Sequence, residues 1–120
     1  MILADTSVWV HHLRSGEPRL AGALNAGNVC IHPFVLGELA CGNLRNRRAL
    51  LGLLAKLPTV SAATETEALG FIESRALMGR GIGYIDVHLL ASAALSATTR
   101  LWTRDRRLAA VAAELNLTFE

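Results

Sequence analysis

A chain of 120 residues, 52% hydrophobic and 18% charged, carries enough apolar material for one core and too little charge for a disordered polymer. Its 12 Lys+Arg against 10 Asp+Glu leave a formal charge of only +2, so net charge alone names no partner. No apolar run approaches membrane-spanning length, and Met1-Ile2-Leu3-Ala4 has no basic stretch leading into an apolar segment, so a soluble cytoplasmic protein without membrane contact is expected.

In chain order, Ile2 to Asp5 reads as a short buried strand, and Thr6-Ser7 signals a helix start before Val8-Trp9-Val10. Residues 17–26 read as a second helix closed by Gly27-Asn28, and Val29 to His32 as a second strand. Pro33 fits the first turn of a helix that runs to Cys41 and stops at Gly42-Asn43. The next helix spans about Asn46 to Leu57, with Leu50, Leu51, Leu53, Leu54 and Leu57 on one side, and Pro58 ends it.

A brief extended piece around Val60 precedes a helix from about Thr64 to Met78, opened by the capping box Thr64-x-x-Glu67. Gly79-Arg80-Gly81-Ile82-Gly83 then links to Tyr84–Ala97, which is apolar nearly all round and therefore a buried central helix. Arg100 to Thr103 reads as a strand, Asp105 to Glu114 as a helix, and Leu117 to Phe119 as a last short strand. Short apolar strands alternating with helices predict an α/β fold, a parallel sheet covered on both faces, in one domain over residues 1–120.

Asp5, Glu38, Asp86 and Asp105 each stand at the edge of an apolar run, where an ionised carboxylate is costly unless a cation or proton compensates it. Asp5 and Asp105 follow two of the expected strands, at the sheet rim where open α/β folds bind ligands. Glu38 and Asp86 sit on helices that can point to the same rim. Oxygen ligands alone suit Mg²⁺ or Mn²⁺, with Asp5 and Asp86 the expected metal-bearing pair. The chemistry expected is metal-assisted phosphodiester hydrolysis by water, leaving a 5′-phosphate and a 3′-hydroxyl. Thr6, Ser7 and Thr103 are candidate hydroxyls to orient the acids.

Each acid has a structural alternative. Asp5 also fits a helix N-cap, although Thr6 or Ser7 could cap and leave it free, and Asp105 fits the N-cap of the last helix. Glu38, among Phe34, Val35, Leu36 and Leu39, is not expected on a solvated face, and its alternative is a buried pair with an Arg. Asp86 lies on the helix expected to be most buried. His11, His12, His32 and His88 form no zinc motif, and Gly79-x-Gly81-x-Gly83 lacks the strand and Lys of a phosphate loop. Cys30 and Cys41, in apolar surroundings without a paired spacing, read as buried thiols. Lys56 is the only Lys, and the arginines cluster at Arg45, Arg47, Arg48 and at Arg104, Arg106, Arg107, either as phosphate contacts or as solvated helix faces.

Four stretches carry a resemblance: Leu3-Ala4-Asp5-Thr6-Ser7-Val8-Trp9, Pro33-Phe34-Val35-Leu36-Gly37-Glu38-Leu39, Gly83-Tyr84-Ile85-Asp86-Val87-His88-Leu89-Leu90-Ala91, and Leu101-Trp102-Thr103-Arg104-Asp105-Arg106-Arg107-Leu108. Together, in this order, they resemble a PIN-domain ribonuclease of the VapC type, the toxin of a toxin–antitoxin pair. The resemblance implies a three-layer PIN-like domain with a short central parallel sheet flanked by helices. It also implies an Mg²⁺- or Mn²⁺-dependent endoribonuclease whose acidic pocket matches Asp5, Glu38, Asp86 and Asp105. As partners it implies an RNA substrate contacted by the two Arg clusters, a homodimer within a larger toxin–antitoxin assembly, and a VapB-like antitoxin whose C-terminal segment lies in an apolar groove. In this chain that groove would use side chains near Trp9, Leu13, Leu44, Leu50 and Leu54.

Three rival readings compete. A phosphoacceptor receiver domain needs paired acids near its first strand and a Lys at a later strand end, but Asp5 has no acidic neighbour and Lys56 lies within a helix. A haloacid-dehalogenase-like phosphatase needs an acid where Ser7 stands. A PIN-like module that binds RNA or protein without cutting is the remaining alternative, and the presence of all four acids argues against it.

Overall fold

In the computed structural model, which describes Met1 to Glu120, three strands and seven helices follow one another in the order expected. They are β1 (Ile2–Ala4), α1 (Thr6–Ser15), α2 (Pro18–Asn25), β2 (Val29–Cys30), α3 (Pro33–Ala40), α4 (Arg47–Leu54), α5 (Glu65–Arg75), α6 (Tyr84–Leu95), β3 (Arg100–Trp102) and α7 (Arg106–Glu114). The sheet order is β2-β1-β3 and both pairings are parallel, with Ile2 opposite Val29 and Arg100, and Leu3 opposite Cys30 and Leu101. Parallel strands are buried on both faces, which is why β1 reads as an unbroken apolar run rather than an alternation. Leu3 and Ala4 at its centre are wholly buried.

The same logic applies to α6. A helix without a polar stripe has to be surrounded, and every residue from Val87 to Ala93 is buried. Leu89 and Leu90 join Leu3, Leu20, Leu39, Leu101 and Leu108 in one cluster of 23 buried hydrophobic residues. At roughly 1.5–3 kcal/mol for each fully buried Leu, α6 and β1 anchor the positions of everything attached to their ends. No helix is long and apolar enough to cross a membrane.

Local signals act as expected at α5: Thr64 Oγ1 accepts from Glu67 N at 3.1 Å, and Glu67 Oε1 accepts from Thr64 N at 2.9 Å. The helix stops at Arg75 rather than Met78, because Ala76 turns left-handed at φ 53° and Leu77 N–H returns to Ile72 O. That turn sends Leu77 into the core.

Several other expectations are corrected. The second strand ends at Cys30, since Pro33 starts α3 and makes His32 its N-cap, with Nδ1 accepting from Phe34 N at 2.9 Å. Ile31 instead makes a single parallel bridge to Thr59. Leu117 to Phe119 forms only one bridge, Thr118 to Leu101, because Asn116, at φ 62°, turns the chain sharply just before it. On α4 the apolar stripe is narrower than expected: Leu54 is buried, but Leu53, about 100° around the helix from it, is 64% exposed. Cys41 lies beyond the end of α3 and is exposed, while Cys30 is buried and its thiol pKa is raised by that burial.

Candidate active site

Three strands running the same way present three carboxyl ends at one rim. Asp5 leaves β1 there, Thr103 leaves β3, and His32 stands just beyond β2. The carboxylate of Asp5 is buried, and both of its oxygens are hydrogen-bonded. Its Oδ1 caps α1 by accepting from Val8 N at 3.1 Å and takes the Ser7 hydroxyl at 2.5 Å, while its Oδ2 accepts from Thr103 Oγ1. Capping and membership of the acidic cluster therefore coexist at Asp5, because a helix N-cap at a strand end already faces the rim.

The hydroxyls tie the acids to one another. Thr103 Oγ1 donates to Asp5 and accepts from Asp105 N at 3.0 Å, so one side chain spans two of the four acidic positions. Ser7 Oγ donates to Asp5 and accepts from Arg104 N at 3.0 Å, which stitches α1 to the loop after β3. Thr6 Oγ1 donates to Glu38 Oε1 at 2.6 Å, joining the start of α1 to α3. Asp105 caps α7 through Oδ1, which accepts from Arg107 N and Leu108 N at 2.9 and 3.0 Å.

Glu38 is exposed rather than buried, since α3 turns only Val35 and Leu39 fully inward. Asp86 is half-buried, and its Oδ2 accepts from Gly83 N at 3.1 Å across the first turn of α6. Burial, together with the charges of Asp5, Asp105 and Glu38, raises the Asp86 carboxyl above its ordinary range, against the Gly83 N–H, which lowers it. Three acids from separate places in the chain thus act on the fourth, Asp86. None of them is ion-paired; the two salt bridges are His11–Glu17 and Arg80–Glu114.

No three His, Cys, Asp or Glu side chains stand at the mutual spacing of a closed metal cage. A Mg²⁺-type ion does not need one, because it keeps several waters and binds through one or two carboxylates. The donor set fits such an ion: hard oxygens, a shared negative field, and no salt bridge to neutralise it.

The arginine clusters divide. Arg47 spends its guanidinium on Ala40 O, at 2.5 Å from Nη2 and 3.2 Å from Nε, and so closes the C-terminus of α3. Arg45 and Arg48 are exposed beside it, as are Arg104 and Arg106 at the rim. Arg107 lies against the glycine link: Gly81 has φ 80°, and a methyl there would meet Arg107 Cδ and Nη1 at 2.7 Å.

Sequence reasoning missed the Gly83 N–H as a partner of Asp86, and the pair His32 and His88, 1% and 2% exposed. The signal for the first was present in Gly83-x-x-Asp86, a capping-box spacing. The second joins positions far apart in the chain and had no local signal.

A PIN domain family model matches residues 2–114. The chain is 46% identical over 114 residues to Ribonuclease VapC32 of Mycobacterium tuberculosis, strain CDC 1551 / Oshkosh, with 95% of this chain and 92% of that protein covered. The same identity and coverage hold for Ribonuclease VapC32 of strain ATCC 25618 / H37Rv. With the four acids on the rim of a short parallel sheet and a family match over residues 2–114, the chain belongs to the PIN-domain family, in its VapC branch.

Proposed function

We propose that the chain is a single-domain endoribonuclease, the toxin of a cytoplasmic toxin–antitoxin pair, which hydrolyses RNA phosphodiester bonds with Mg²⁺ or Mn²⁺. The observation that carries the reading is the convergence of Asp5, Glu38, Asp86 and Asp105 without any ion-pair partner, in which burial first and the other three charges second raise the Asp86 carboxyl. Asp5 and Asp86 would hold the ion. When bound, it supplies Lewis-acid activation of the phosphoryl group and of attacking water.

The chain's own residues do the rest. Ser7, Thr103 and Val8 N fix both oxygens of Asp5, so its carboxylate needs no reorganisation. Thr6 holds Glu38 through Oε1 and leaves Oε2 for the proton released as water attacks. Exposed Arg45, Arg48, Arg104, Arg106 and Arg107 suit phosphate contacts. Arg47 contributes mainly by closing α3.

The antitoxin fits a cavity of about 560 Å³ lined by Val10, Leu13, Leu44 and Leu50, with Arg14 and Arg45 beside them. Of the groove residues expected from sequence, Leu13, Leu44 and Leu50 line this cavity, whereas Trp9 and Leu54 are buried in the core. A homodimer carrying two such grooves completes the proposed assembly.

The test is cleavage of a structured RNA pool by the partner-free chain in Mg²⁺, Mn²⁺ or chelator, beside Asp5→Asn. Metal-dependent cuts that leave 5′-phosphates and vanish in Asp5→Asn support the reading. Cleavage that survives chelator refutes the metal mechanism, and RNA binding without cleavage favours a non-cutting PIN-like module.

A further inference from the structure

Helices α3 and α6 each bring one acid to the rim, and each also brings one exposed aromatic ring. Phe34 is 42% exposed and lies one turn before Glu38 on the same face of α3. Tyr84 is 46% exposed, opens α6 directly after Gly83, and shares a face of that helix with His88 at i, i+4. Both rings pack edge-on against His88, with centroids 4.9 Å away for Phe34 and 4.6 Å for Tyr84. His32 packs against Phe34 as well, with ring centroids 5.0 Å apart and the planes tilted by 53°.

His88 is 2% exposed, and neither of its ring nitrogens has a hydrogen-bond partner. An aliphatic residue would fill that space without leaving two polar atoms unsatisfied. What the imidazole adds is a flat edge and face that set the planes of two neighbouring rings. Scattered exposed aromatics need no explanation, but two on different helices, braced on one buried ring, with Phe34 one turn from Glu38 on the same helix face, form a built surface. Arg107 lies against Gly81, in the link that leads into Tyr84.

We infer that Phe34 and Tyr84 form a base-stacking subsite next to the acids, which takes an unstacked nucleobase of single-stranded RNA adjacent to the phosphate that is cut. This inference rests on the ribonuclease reading above. Exposed planar rings accept any base, and exposed Arg104 and Arg106 at the rim suit the flanking phosphate. Duplex RNA, whose bases are already stacked and paired, cannot enter such a subsite. His88 acts as a positioning residue behind the rings.

The experiment measures binding of an eight-nucleotide oligo(A) and of an abasic ribose-phosphate octamer of equal charge to the full chain, with Ca²⁺ as the divalent ion. The wild-type chain should bind oligo(A) at least tenfold more tightly than the abasic strand, since stacking on a ring is worth roughly five- to a hundredfold in affinity. Phe34→Leu/Tyr84→Leu, which keeps apolar bulk and therefore folding, should erase that preference while leaving abasic binding unchanged. Tyr84→Phe should retain it.

A folded Leu/Leu variant that still prefers oligo(A) as the wild type does overturns the subsite, as does a wild type blind to the bases. A variant altered only in sedimentation identifies the rings as a self-association surface and also overturns it. If neither strand binds any variant while metal-dependent cleavage of the RNA pool persists, the subsite alone fails. If cleavage is absent too, the ribonuclease reading fails with it.

Discussion

Acidification from pH 7 to pH 4 should remove about 3 kcal/mol of folding free energy through His32 alone. Burial, and secondarily the neighbouring His88, lower the His32 pKa from 6.5 to about 4, so the folded state resists a proton that the unfolded chain accepts readily. Stability from this group is fully present above pH 6.5, where both states are neutral, and is lost as pH falls toward 4. At 1.36 kcal/mol per pH unit the loss approaches roughly 2 kcal/mol by pH 5 and roughly 3 kcal/mol by pH 4.

Carboxylates titrate in the same window, so the measurement needs a matched variant. His32→Asn keeps an N-cap acceptor for Phe34 N–H without a titrating ring, at a constant cost for the space it leaves. Urea unfolding of both proteins at pH 7, 6, 5 and 4 gives the difference directly. The wild type should lose about 3 kcal/mol more than the variant over that range. Parallel stability curves, agreeing within about 0.5 kcal/mol, would show that His32 takes up protons alike in both states and refute the argument.

Asp86→Asn should abolish cleavage yet stabilise the metal-free protein at pH 7. The raised carboxyl of Asp86 favours folding only while protonated, so its contribution falls as pH rises through its folded pKa, and Asn keeps the bond to Gly83 N–H without the charge. Unfolding curves at pH 4 and pH 7 should show the gain at the higher pH alone. Thr103→Val removes the hydroxyl that joins Asp5 to Asp105 N–H and should lower cleavage by roughly 10–100-fold with little change in RNA affinity; unaltered turnover would sink the positioning role. Leu50→Asp should disrupt antitoxin capture while leaving the thermal midpoint near that of the wild type, because Leu50 lines the cavity and is only half-buried. A polar residue at Leu54, 4% exposed, should instead unfold the chain, and equal tolerance at both positions would misplace the groove.

The order of elements was legible because each carries a local cause. Pro33 fits a helix only in its first turn, Thr64 and Glu67 cap one another, and an α6 that is apolar nearly all round has to be enclosed. The four acids were legible one by one, since a carboxylate beside an apolar run needs a reason. Their mutual arrangement was not. Thr103 and Asp5 are 98 positions apart, and only the parallel pairing of β1 with β3 brings the hydroxyl of one to the carboxylate of the other. That Glu38 lies exposed while Asp86 is half-buried was likewise decided by which face α3 and α6 turn to the core. The union of Phe34, Tyr84 and His88 came from packing as well: Tyr84 and His88 share a helix face at i, i+4, but Phe34 arrives from another helix. Periodicity and caps act over a few residues and can be read along the chain, whereas a shared site depends on long-range contacts that exist only once the sheet has closed its register.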